Sequence, residues 1–383
     1  DGGTGNDYIG NEAINVSIDG GDGSDTINNT KQNVTIFGGG DSDSIVNTAS
    51  LVTIDGGDGS DTINSTGSDT SIVGGTGIDL ISVSGNNLNI EAGEGQDSVV
   101  INSGENITIN GDTSHNSSQD KISLKTGVHG VSILGGQQGD TVSIASGAYD
   151  VTISGNTGAR ADDSIVSSGY NISVYGGGGN DKISLGAGSH DVTLNLSEGS
   201  AGDTVSLVGE SGNSVRAVNI IMGSNHDFVT MNAYTTQVTL DTGTGNGNDS
   251  IQSAASNVSI KTAGGGDHIT LSGGTQVTLD ASNDTSTTNS PTDGNEVFVN
   301  GALTVSTIKT GAGADTINVS STLANALMIE AGNGANLITN KGGAEGKIVT
   351  ITGGTGSDSI YNDGKYVTIN GGTGDGDSIS LGN

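Results

Sequence analysis

Gly20-Gly21-Asp22-Gly23-Ser24-Asp25-Thr26-Ile27-Asn28 is the stretch that decides how this chain folds. The same pattern returns as Gly56-Gly57-Asp58-Gly59-Ser60-Asp61-Thr62-Ile63-Asn64. Related segments start at Gly2, Gly38, Gly74 and Ala92. Their sixth positions are Asp7, Asp25, Asp43, Asp61, Asp79 and Asp97, each 18 residues from the last. Five equal intervals do not arise by chance. A fixed period of this size marks stacked repeats, in which each unit buries its apolar residues against its neighbours.

The period then loosens. Equivalent residues are Asp120, Asp140, Asp163, Asp181, Asp203, Asp227, Asp249, Asp267, Asp315, Asp358 and Asp377. Two rungs lack the Asp, with Glu296 and Asn336 taken as the residues in its place. The count is about 19 rungs of roughly 18–24 residues, stretched to about 29 where a turn carries an insertion. Insertions are expected at Asp112 to Gln119 and at Ala281 to Gly294, which holds the single proline, Pro291. The chain is therefore expected to be one continuous solenoid over 1–383. Its rungs are regular over 1–110 and irregular over 111–383.

One rung, Gly20 to Phe37, shows the architecture. Gly20 to Asp25 is a turn, Thr26-Ile27-Asn28 a short strand, Asn29 to Asn33 a second turn, and Val34-Thr35-Ile36 a second strand. Period-two alternation points Ile27, Val34 and Ile36 inward and Thr35 outward. Hydroxyls recur at the outward position, as in Ser17, Thr53, Thr108, Ser132, Thr152, Ser173, Thr193 and Thr239. Asn15, Asn33, Asn106, Asp150, Asn171, Asp191 and Asn257 precede that strand. Asn and Asp tolerate left-handed backbone, so the second corner is expected there. Helix signals are absent. The fold class is all-β, a parallel β-solenoid with two short strands per rung.

Composition narrows the function. The 383 residues include 68 Gly, no Cys and no Trp, with 43 Asp and Glu against 11 Lys and Arg, giving a formal charge of -32. Low hydrophobicity with high charge would suggest disorder, but a register with apolar residues in phase does not occur in linkers. No basic patch exists to release counterions from a nucleic acid. No apolar run reaches the ~18 residues of a membrane helix, so neither nucleic acid nor membrane insertion is expected. Divalent cations should be attracted. Without Cys, disulfides and thiolate chemistry are excluded. The chain begins and ends inside a repeat, as an excerpt of a longer protein would.

The turns suit calcium. Paired glycines let the backbone turn its carbonyls inward, and Asp adds a carboxylate. Calcium takes six to eight oxygens in a flexible arrangement. One turn cannot supply them, whereas two stacked turns can. Ions would also relieve a column of like charges. The candidate ligands are Asp7, Asp25, Asp43, Asp61, Asp79, Asp97, Asp120, Asp140, Asp163, Asp181, Asp203, Asp249, Asp267, Asp315, Asp358 and Asp377, with backbone carbonyls such as those of Gly20, Asp22, Gly38, Gly56, Asp58 and Gly74. Asp227 is left out, because its turn, Gly223-Ser224-Asn225-His226-Asp227, is short.

The turns resemble the repeats-in-toxin (RTX) family, whose nonapeptide is G-G-x-G-x-D-x-U-x with U apolar. Gly20 to Asn28 and Gly56 to Asn64 match every defined position. The resemblance implies a right-handed β-roll, calcium as the bound ion, and a secreted or cell-surface bacterial protein that folds on meeting external calcium. One departure matters: the second half of each rung lacks GGxGxD. That implies a half-RTX form with multiple ions in one column.

No enzyme is expected. There is no G-x-S-x-G elbow and no phosphate-binding glycine loop followed by a helix. Acidic pairs such as Asp162 and Asp163 arise by chance in so acidic a chain. His115, His129, His190, His226 and His268 lack metal-ligand spacing and read as ordinary surface or turn residues. The expected role is a structural segment: an adhesin stalk, a surface layer or an extracellular filament. Two other roles are an ice- or surface-binding solenoid and a carbohydrate-binding or targeting module of a larger secreted enzyme. Turn positions three and five are too irregular to favour ice. Partners beyond calcium would be further copies, end to end or laterally, or a host or surface ligand held by regions outside this stretch.

Overall fold

In a computed structural model, residues 1–111, 119–155, 161–199, 201–243, 245–282, 294–321, 325–343 and 345–382 are described. They form two compact units, one of residues 1–183 and 189–192, the other of residues 184–188 and 193–383. Among the described residues there are strands and turns but no helix. The insertions expected after Asp112 and after Ala281 fall almost wholly outside the described residues.

Among the described residues of the first unit every strand pairing is parallel. Strands Thr26–Asn29, Ser44–Asn47, Thr62–Ser65 and Leu80–Ser84 stack with Ile27, Ile45, Ile63 and Ile81 in register. Strands Val34–Gly40, Val52–Asp58, Thr70–Thr76 and Leu88–Glu94 stack likewise, aligning Ile36, Ile54, Ile72 and Ile90. All eight isoleucines are fully buried. The two sheets bury these isoleucine columns as the core. Alternation sets this up: each strand shows one face to the core and one to solvent. The second strand is longer than expected. It runs on through the glycine pair, so Gly39, Gly57 and Gly75 pair as strand residues.

The second unit repeats the plan. Val229, Ile251, Ile269, Val297 and Ile317 align on one sheet. Val258, Val277, Leu327, Val349 and Val367 lie on the other, with each adjacent pair of strands parallel. The solenoid has about 17 turns in all, slightly fewer than the 19 rungs counted from the motif.

The second corner falls where the sequence put it. Asn15, Asn33, Asn106, Asp150, Asn171, Asp191 and Asn257 all have φ between 51° and 59°. The hydroxyls of the following strand face outward. Just before this corner, the first unit carries a column of parallel rings: His129, Tyr149, Tyr170 and His190 stack at 4.6, 4.9 and 4.8 Å. The two histidines thus end a ring stack rather than standing alone.

Candidate metal column

Strand register brings the turn Asp residues into one ladder within each unit. Each after the first accepts, through Oδ1, the backbone amide of the ladder residue one rung earlier. In the first unit the chain of bonds runs Asp7, Asp25, Asp43, Asp61, Asp79, Asp97, Asp120, Asp140, Asp163 and Asp181, at 2.7–2.9 Å. In the second it runs Asp203, Asp227, Asp249, Asp267, Asn295, Asp315, Asn336, Asp358 and Asp377, at 2.7–3.1 Å. All sixteen candidate Asp residues therefore lie in a ladder. All are buried except Asp7 and Asp377, which are half-buried at the outer rungs.

Two positions differ from expectation. Asp227 is a full ladder member, 2 % exposed, despite its short turn. Glu296 is not a ladder member: Asn295 holds that place, and Glu296 is the exposed residue after it, aligned with His268 and 3.0 Å from its Nδ1. A spacing of 28 residues left the register open. The buried apolar residue settles it, because inside each unit it follows the ladder residue by two, as Ile27 follows Asp25 and Val297 follows Asn295.

The second carboxylate oxygen carries the chemistry. In Asp7, Asp25, Asp43, Asp61, Asp79, Asp227 and Asp358, Oδ2 is buried with no hydrogen-bond partner among the described residues. Its neighbours are visible at the first glycine of each turn. A Cβ placed on Gly2 would lie 2.5 Å from the Gly20 carbonyl oxygen and 2.7 Å from Asp7 Oδ2. On Gly20, Gly38 and Gly56 it would meet the same pair: the rung's own Asp Oδ2 and the carbonyl of Gly38, Gly56 or Gly74. Two oxygens thus converge on a space that a side chain at Gly2, Gly20, Gly38 or Gly56 would fill. Asn336 shows what this space calls for. Its Nδ2 donates to the Gly353 carbonyl of the next rung at 3.3 Å. An ionised Asp can only accept, so it needs a proton or a cation there.

Burial raises the carboxyl pKa values, and neighbouring Asp charges raise several of them further, while the bond from the preceding amide pulls them down. Asp43, Asp61, Asp79, Asp181 and Asp249 are pushed up to about 6, and Asp163 and Asp227 to about 7. The opposite edge offers a contrast. There Asn11 Nδ2 donates to Asn29 Oδ1, Asn29 to Asn47, and Asn47 to Ser65 Oγ, at 2.8–3.0 Å. An amide both donates and accepts, so that ladder closes on itself without charge.

Among the expected carbonyl donors, those of Gly20, Gly38, Gly56 and Gly74 face the space beside Oδ2. The Asp22 carbonyl instead accepts the Gly5 amide at 2.7 Å along the stack. Asp58 accepts the Thr76 hydroxyl at its side chain, 3.0 Å away. Among the described residues no three His, Asp or Glu side chains converge on one point. An ion here would take one carboxylate per rung, carbonyls from the adjacent rung, and water. Hard, oxygen-only donors of this kind fit calcium.

Fold and ladder together define a parallel β-solenoid of repeats with a buried acidic column. No known family matches the chain, and no curated protein matches it. Among solved structures it is similar to one described as a crystal structure of a TibC-catalysed hyper-glycosylated TibA fragment. The identity is 15 %, over 99 % of this chain and 97 % of that one, with a TM-score of 0.23.

Proposed function

We propose that this chain is a calcium-stabilised structural segment of a secreted or cell-surface bacterial protein, such as an adhesin stalk, a surface layer or an extracellular filament. The observation that carries the proposal is the repeated meeting of a buried, unpartnered Asp Oδ2 with a carbonyl of the next rung, beside a glycine that keeps the space open. Calcium, when bound, supplies the positive charge that lets the carboxylates stay ionised and buried. The chain's own residues do the rest. Oδ1 fixes the rung-to-rung register, Oδ2 and the Gly carbonyls hold the ion, and the isoleucine column closes the core.

Metal binding of this kind is coupled to folding, since the donors come together only in the stack. In a calcium-poor cytoplasm the carboxylates repel and the ion-holding rungs stay loose, and outside the cell they lock. The test is calcium titration of the metal-free chain at pH 8, followed by circular dichroism. A rise in β signal, reversed by chelator and accompanied by several bound ions per chain, is expected. A spectrum indifferent to calcium would defeat the proposal.

A further inference from the structure

The first turn position divides the chain in a way the Asp spacing does not reveal. In the first unit this position is Gly2, Gly20, Gly38, Gly56, Gly74, Ala92, Gly111, Gly135, Gly155 and Gly176 in turn. Nine of the ten have no side chain. At Gly111 and Gly155, as at the earlier glycines, a Cβ would collide with the rung's Asp Oδ2 and the next carbonyl. In the second unit the same register position holds Leu196, Met222, Thr242, Thr262 and Thr310, all no more than 2 % exposed. Buried alanines, Ala281 and Ala331, complete the run. Glycine returns only at Gly353 and Gly371, where the Cβ conflict with Asp358 and Asp377 Oδ2 reappears.

The replacing side chains do more than fill space. The Thr242 hydroxyl hydrogen-bonds the Asp249 carboxylate, so that carboxylate already has a side-chain partner. The Thr310 hydroxyl donates to the Ala331 carbonyl at 2.8 Å, so the carbonyl of the next rung is taken as well. Two of the seven ladder residues in this run are Asn295 and Asn336, which carry no charge. Asn336 reaches the next rung's carbonyl itself. Met222, which has no exposed surface, occupies the first position of the rung whose ladder residue is Asp227. A side chain stands at the first position of each of these rungs, and at Thr242, Thr310 and Asn336 a donor also reaches an oxygen. Asp227 Oδ2 stays buried without a partner among the described residues, in a rung whose first position is filled by Met222.

Resting on the calcium reading above, we infer that the chain holds ions only at its glycine-first turns. These are the turns of the first unit other than that of Ala92, and the last two turns of the second, while the rungs from Leu196 to Ala331 are a metal-independent segment that folds without calcium. The division gives the chain a built-in order of assembly. A calcium-free stretch is already stacked when the ion arrives, and glycine-first rungs then form. In a stacked-repeat protein an existing rung lowers the barrier for the next, because only interface terms remain to be gained.

Hydrogen exchange on the full chain tests this, comparing chelator with excess calcium at pH 7.5. Calcium is expected to slow exchange in Thr26–Asn29, Ser44–Asn47 and Thr62–Ser65 by on the order of 100-fold at about 100 times Kd. Phe228–Met231, Ser250–Ser253 and Thr316–Val319 are expected to be protected in chelator and unmoved by calcium. Equal slowing in both sets would overturn the division and leave the calcium reading standing. No slowing anywhere would defeat both. Thr242→Gly gives a second arm: it reopens the space beside Asp249, and calcium should then slow exchange in Ser250–Ser253. If that strand stays indifferent to calcium in the variant, the first turn position does not control binding.

Discussion

Replacing Asp61 with Asn separates the two jobs of the ladder. Asp61 is 1 % exposed and its Oδ1 accepts the Asp43 amide at 2.8 Å. Its own amide donates to Asp79 Oδ1 at 2.8 Å. Asn keeps the Oδ1 acceptor and turns Oδ2 into a donor, the arrangement Asn336 already uses toward Gly353. Burial raises the Asp61 carboxyl from 3.8 to about 6 in the folded chain. Folding therefore favours the protonated form. The stability this contributes is fully present below pH 3.8 and is lost as pH rises through about 6. One pH unit of pKa change corresponds to about 1.4 kcal/mol, so ionising Asp61 in the metal-free fold costs at most about 3 kcal/mol. Screening at the turn edge reduces this to about 1–3 kcal/mol.

Without metal at pH 8, Asp61→Asn should then stabilise the neighbouring rungs by about 1–3 kcal/mol. Asp61→Ala removes the charge too, but strands the buried Asp43 amide, which costs about 1–3 kcal/mol and cancels the gain. The assay is exchange of the Asp43 amide, with thermal unfolding as a second readout. At pH 4 the benefit of Asn should vanish. In excess calcium it should reverse, because the ion loses a ligand. Equal destabilisation by Asn and Ala at pH 8 without metal would refute the reasoning, since the Oδ2 charge would then have no bearing on stability.

Other outcomes follow from the same geometry. Gly56→Ala places a Cβ 2.5 Å from Asp61 Oδ2 and closer still to the Gly74 carbonyl. It should weaken calcium binding and cost about 1–3 kcal/mol from overpacking. Gly3→Ala, at φ +98° with open space around it, should show only backbone strain of about 1–2 kcal/mol. Ile45→Ala should cost about 2–5 kcal/mol, with exchange rising only in adjacent rungs, as read by hydrogen exchange. Tyr149→Ala breaks a stack of four rings and should cost about 1–2 kcal/mol, seen as a lower midpoint in thermal unfolding at fixed calcium.

Much of this architecture is written in the sequence because a solenoid repeats its constraints. The 18-residue interval through Asp97 sets the register, and period-two alternation selects Ile27, Val34 and Ile36 for the core. The left-handed corners were legible as Asn and Asp, since those residues accept a positive φ. What the spacing hid lies after the insertions. There the distance between rungs varies and Asp is no longer a reliable mark. The acid at Glu296 masks its neighbour Asn295, whereas the buried Val297 two residues on from Asn295 marks the ladder position. The short turn before Asp227 hides its place in the ladder, yet the buried Val229 keeps the phase. Leu51, at φ 61°, and Val305, at φ 50°, occupy left-handed corners that no propensity would assign to them. Stacking between rungs overrides the local preference. The His129 to His190 ring column was invisible for another reason, since rings 20 or more residues apart meet only once the register is known.

The most direct measurement is stability against pH, taken with chelator and with excess calcium. Thermal unfolding is followed by circular dichroism between pH 4 and 8. With chelator, stability should fall as pH rises through 6 to 7, the range in which Asp43, Asp61, Asp79 and Asp163 ionise in the folded chain. With calcium the fall should be abolished, and the two curves should diverge most at pH 8. Curves that coincide at every pH would contradict the account, because the buried ladder would then need neither a proton nor a cation.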